Sequence, residues 1–123
     1  MGKTILIVED EQSIVDILSF NLTKEGYNTL EALDGPTGLQ LALEQNPDLV
    51  LLDLMLPGLN GEEILPQIKG IPVIVVSAKV GVEDKVDLLL GGAVDYVTKP
   101  FHTKELLARI AVHLRNAANT PIS

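Results

Sequence analysis

The stretch Asp48-Leu49-Val50-Leu51-Leu52-Asp53-Leu54-Met55-Leu56-Pro57-Gly58 constrains the chain more than any other. Four apolar residues in a row lead to Asp53, and Pro57-Gly58 follow soon after. A short apolar run bounded by turn residues predicts a strand buried on both faces, as in a parallel sheet. A carboxylate at the C-terminal end of such a strand lies at the rim where open α/β folds build their sites.

Runs of the same kind recur along the chain. Thr4–Val8 predicts a first strand ending in Glu9-Asp10-Glu11, and Tyr27–Glu31 a short second one. Pro72–Ser77 and Val94–Thr98 predict a fourth and a fifth. Between them, apolar spacing predicts helices over Gln12–Lys24, Pro36–Gln45, a segment opened by Asn60, Gly81–Leu90 and Thr103–Asn116. Ile14, Ile17, Leu18 and Leu22 are expected on the inward face of the first helix, and Leu106, Leu107, Ile110 and Leu114 on that of the last. Gly26 and Gly91-Gly92 are placed to end helices, while Asp34, Asn60 and Thr103 are placed to cap them. Pro66 falls past the first turn of the third helix, where it removes a hydrogen bond, so that helix should be short, kinked or ended early.

Strands alternating with helices over 123 residues give one α/β domain with a doubly wound, five-stranded parallel sheet and five helices. Strand order 2-1-3-4-5 brings the C-terminal ends of strands one and three together, so Glu9, Asp10 and Asp53 are expected to converge. Acids after a strand are often simple helix-start residues. Three converging on one rim, with neither His nor Cys, instead suit a hard cation such as Mg2+. Ser77 and Lys99 end the fourth and fifth strands and face the same rim. A hydroxyl and an ammonium beside a carboxylate–metal cluster can hold the oxygens of a transferring phosphoryl group.

Other features exclude more than they assign. Seventeen acidic residues stand against nine Lys and Arg, a net charge of -8, which argues against direct nucleic-acid binding. Cysteine is absent, and no apolar run has the length of a membrane span, so a soluble, cytoplasmic protein is expected.

These residues together resemble a bacterial response-regulator receiver domain of two-component systems, from Ile5 through Leu114. The likeness rests on Glu9-Asp10, on Asp53 before Leu54-Met55-Leu56-Pro57-Gly58, on Ser77-Ala78, and on Asp95-Tyr96-Val97-Thr98-Lys99-Pro100-Phe101. The wording after Asp53 and the charges of the last two helices resemble the winged-helix transcription-factor subfamily. The resemblance implies a flavodoxin-like receiver fold over residues 1–118, with 119–123 as a tail or the start of a linker to an output domain. It implies a phosphorylation-activated switch rather than an enzyme, with a sensor histidine kinase as partner and transcription as output. Asp53 would accept the phosphoryl group, aided by Ser77 and Lys99. Mg2+ (or Mn2+) would be held by Asp10, Asp53 and the main-chain carbonyl of Met55, with Glu9 acting through water. A cis Lys99–Pro100 bond is also implied. Ser77 and Tyr96 would carry the switch, and Lys85, Asp95, Glu105 and Arg109 would pair across a homodimer formed on phosphorylation. Val94 departs from the subfamily's usual acid and Asn60 from a common Asp, and His102 and His113 match no site.

Three rival readings fit the residues less well. An aspartyl-phosphate phosphohydrolase would carry its nucleophile after strand one in an Asp-x-Asp pattern, which Glu9-Asp10-Glu11 lacks. A flavin- or dinucleotide-binding module needs a Gly- or Ser/Thr-rich phosphate loop there, and an acidic tripeptide would repel pyrophosphate. A phosphorylation-independent interaction module would have no use for the full set of acceptor-site residues.

Overall fold

A computed structural model describes residues 2–78 and 82–118, and in 82–85 and 117–118 the backbone path only. The elements follow in the order β1 (Thr4–Val8), α1 (Gln12–Lys24), β2 (Asn28–Ala32), α2 (Gly35–Gln45), β3 (Leu49–Leu52), α3 (Gly61–Ile64), β4 (Val73–Ser77), α4 (Val82–Leu90), β5 (Asp95–Thr98) and α5 (Thr103–Ala118). All strand pairs are parallel and the sheet order is β2-β1-β3-β4-β5. The expected topology is therefore observed, with strand and helix ends shifted by a residue or two.

Side chains alternate across a strand, so each central strand feeds two cores. Leu6, Val8, Val50, Leu52, Val73 and Val75 point to the layer of α2, α3 and α4, where Ala42, Ile64 and Leu88 meet them. Ile5, Ile7, Leu49, Leu51, Ile74 and Val76 point to the layer of α1 and α5, where Leu18, Leu22, Leu106 and Ile110 meet them. β5 divides in the same way. Tyr96 packs on the first core and Val97 on the second.

α1 turns its inward face slightly away from the expected one. Val15, Leu18 and Leu22 are buried, whereas Ile17 is 51% exposed. Asp34 caps α2 by accepting the Thr37 N–H at 2.8 Å. Asn60 makes no side-chain cap bond to α3, and Thr103 is the first residue of α5 rather than the residue before it. Pro66 acts as expected: α3 lasts four residues and gives way to a 3-10 turn over Leu65–Gln67. Gly92 ends α4 at φ 118°, a left-handed conformation that favours glycine. Gly81 lies outside the described residues.

Candidate functional site

The ends of β1, β3, β4 and β5 meet at one pole of the sheet. Asp53 follows directly on β3, 5% exposed, and its own N–H donates to the Val8 carbonyl of the neighbouring strand at 3.0 Å. Gly61 lets the backbone close beneath it: a Cβ there would lie 2.5 Å from the Asp53 carbonyl oxygen, so no larger residue fits. The Asp53 carboxylate accepts the Met55 N–H on Oδ1 at 3.1 Å and the Lys99 ammonium on Oδ2 at 3.0 Å.

Lys99 is the cation that ties the strand ends together. Its main-chain N–H donates to the Ser77 carbonyl at 2.9 Å, and the cis Lys99–Pro100 bond follows it. Its Nζ lies 2.6 Å from Glu9 Oε1 and 3.9 Å from Glu11 Oε1. Glu9 is 3% exposed, and its second oxygen accepts the Glu11 N–H at 3.1 Å. Asp10 is exposed beside them. Oxygens of Glu9, Asp10 and Asp53 lie within 4.8 Å of one another. Ser77, wholly buried, ends β4 at the same pole.

The electrostatics follow from this crowding. Burial pushes the Glu9 carboxyl above its ordinary value, and the bonds from Lys99 and the Glu11 N–H only partly offset that. Burial alone would lower the Lys99 ammonium, but the bonds and charges of Glu9 and Asp53 hold it above the usual range. Carboxylates thus outnumber the ammonium around one small volume. Such a site favours a further cation and oxygen-rich ligands that Lys99 can grip.

The residues expected on a dimer face lie at the other end of β5 and are differently arranged. Asp95 and Arg109 pair within the chain, Arg109 Nη1 donating to Oδ1 at 3.0 Å and to Oδ2 at 2.9 Å. Glu105 lies 3.6 Å from Arg109 Nε. The Lys85 side chain is outside those described. His113, which matches no site expected from the sequence, places Nε2 3.0 Å from Asp95 Oδ2. Its position four residues after Arg109 on α5 was the only hint, because nothing local says that β5 runs beside that face.

The comparisons with known proteins agree with this geometry. The model of the response regulator receiver domain matches residues 5–111. The signal receiver domain of a LuxO repressor protein from Vibrio parahaemolyticus shares 30% identity, with 96% of this chain and 94% of that one covered at TM-score 0.91. A CheY-like receiver domain protein from Methanospirillum hungatei shares 30%, with 98% and 100% covered at TM-score 0.93. The BeF3-activated N-terminal receiver domain of Klebsiella pneumoniae RstA also shares 30%, with 91% and 98% covered at TM-score 0.85. By sequence and by structure alike, this chain belongs to the response regulator receiver domain family, the phospho-accepting module of two-component signalling.

Proposed function

We propose that Asp53 is the phosphoacceptor and that a sensor histidine kinase is the donor. An Asp53 oxygen attacks phosphorus, the new O–P bond forms as the P–N bond to the kinase histidine breaks, and the imidazole leaves with its electron pair. Lys99, already 3.0 Å from Asp53, holds one phosphoryl oxygen, and the Ser77 hydroxyl donates to another. The Met55 N–H keeps the other carboxylate oxygen in place. The observation that carries this reading is the Glu9–Lys99–Asp53 tie, which gathers three strand ends around a buried carboxylate.

The donor set fits Mg2+ or Mn2+: clustered carboxylates, no nitrogen or sulfur ligand, and more negative charge than Lys99 balances. Asp10, Asp53 and the Met55 carbonyl would hold the ion, with Glu9 acting through water. Once bound, the ion would offset charge on the phosphoryl oxygens.

The output follows from β5. A phosphoryl group on Asp53 adds negative charge and strong acceptors, which draw Ser77 and Lys99 inward and let Tyr96 turn into the space Ser77 leaves. The α4–β5–α5 face changes with them and associates with a second copy, and transcription is the output through a winged-helix domain joined after residue 118, with 119–123 opening the linker. The protein works in the cytoplasm. BeF3, a phosphoryl mimic, activates the Klebsiella receiver, which supports a switch of this kind. Intact-mass analysis after a small phosphodonor with Mg2+ tests the acceptor. One phosphoryl group is expected on the wild type and none on Asp53→Asn; equal labelling of both would overturn the reading.

A further inference from the structure

Asp95 receives more positive charge than one ion pair needs. Arg109 engages both of its oxygens through a single nitrogen, Nη1. His113 approaches Oδ2 at 3.0 Å, and the Tyr96 N–H donates to Oδ1 at 2.8 Å. Burial would raise the Asp95 carboxyl, but the bonds from His113, Arg109 and the Tyr96 N–H, with the charge of Arg109, outweigh it and hold it low. Arg109 meanwhile is poorly used. Its Nε–H is buried without a hydrogen-bond acceptor among the described residues, since Glu105 at 3.6 Å is beyond hydrogen-bond distance. A guanidinium is shaped to grip a carboxylate with two nitrogens at once, and here that grip is not made.

We propose that His113 is a proton-operated release for Arg109, and that opening this latch hands Arg109 to a carboxylate of a second copy of the chain. With His113 neutral, removing Arg109 would leave the mostly buried Asp95 carboxylate without a cation, which is costly. With His113 protonated, Asp95 keeps a positive partner at 3.0 Å, so Arg109 can leave at small cost. The charged groups facing His113 are Asp95 from β5 and, along α5, Arg109 with Glu105. β4 and α1, in the same layer, contribute Val76, Leu18 and Leu22 to the apolar core beneath. The charged side chains of 83–85 on α4 lie outside the described residues. The partner is a second copy because charge favours it. Across most of its surface a chain of net charge -8 repels its own kind, whereas this face balances acids with Arg109 and, on protonation, His113. Exposed Leu90 on α4, Val94 just before β5 and Val112 on α5 add apolar area. The inference rests on the self-association reading above.

Two measurements on the full chain separate latch from dimer. In the unphosphorylated protein, NMR follows the His113 ring and the exchange of the Arg109 Nε–H with water across about pH 5–8, where histidine changes charge. Relative to its intrinsic, base-catalysed rate at each pH, Arg109 exchange is expected to rise about tenfold as the His113 ring takes up its proton. Protection, taken relative to that intrinsic rate, should stay flat in His113→Gln and be low at every pH in Asp95→Asn. Arg109 exchange that ignores His113 titration overturns the latch. Sedimentation with beryllofluoride and Mg2+ then compares about pH 6 with about pH 8. Stronger association at the lower pH is expected, and His113→Gln should remove the difference. A latch that opens without association at either pH overturns the transfer to a second copy, and with it the self-association reading, but leaves the release intact.

Discussion

The two ends of β5 carry charge clusters of opposite design. Beyond its C-terminal end, one cation, Lys99, stands among several anions: Glu9, Asp53 and the more distant Glu11. At its N-terminal end, one anion, Asp95, stands between Arg109 and His113. The first cluster is deeply buried and short of positive charge, so it is left in need of something more. The second is half-open and has its central charge satisfied. The unbalanced arrangement is open to further ligands, while the balanced one holds elements in place.

Removing the single cation should have the largest effect. Lys99→Met leaves two buried carboxylates uncompensated and is expected to cost about 3 kcal/mol in metal-free denaturant unfolding. Added Mg2+ should restore part of this, because another cation can replace the lost charge. A variant as stable as the wild type without metal would erase the contrast between the clusters.

The clusters should also pull stability in opposite directions with pH. Glu9, with its native carboxyl raised, binds more protons folded than unfolded, so its contribution falls as pH rises from the ordinary carboxylate value to the raised one. Asp95, with its carboxyl lowered, binds fewer protons folded than unfolded. Its contribution is present above the ordinary value and is lost as pH falls through the native one. In metal-free melts, Glu9→Gln should remove the falling limb and Asp95→Asn the rising one. Equal slopes in both variants would show that the clusters titrate alike.

The smallest effect belongs to the exposed side of the second cluster. With His113 protonated and still paired to Asp95, Arg109→Gln should cost about 1 kcal/mol or less, because the guanidinium is partly solvated. A double-mutant cycle with Asp95→Asn reads the coupling directly, and a cost as large as that of Lys99→Met would make the two ends equivalent.

Much of this was legible in the sequence, for identifiable reasons. Buried parallel strands are written as unbroken apolar runs, so Leu49–Leu52 and Val73–Ser77 announced themselves. Strand order then placed Glu9, Asp10 and Asp53 together. Pro66 foretold the short third helix through its missing N–H. Ile17 misled because Ile14, Ile17, Leu18 and Leu22 fit a helical stripe nearly as well as Val15, Leu18 and Leu22 do. Only the packing of α1 on the sheet chooses between them. Asn60 has the right chemistry for a cap without the bond. His113 was illegible because its partner lies eighteen residues away on a strand, and neither residue carries a local mark of the other.

One consequence of the alternation in β5 reaches beyond either cluster. Tyr96 engages the core beneath α4, Asp95 the side chains of α5, and Lys99 the Asp53 carboxylate, all within five consecutive residues. A segment this short has no slack in which to absorb a tug at one end. Its two flanking helices cannot follow a shift at Asp53 separately; they share a single rigid spoke.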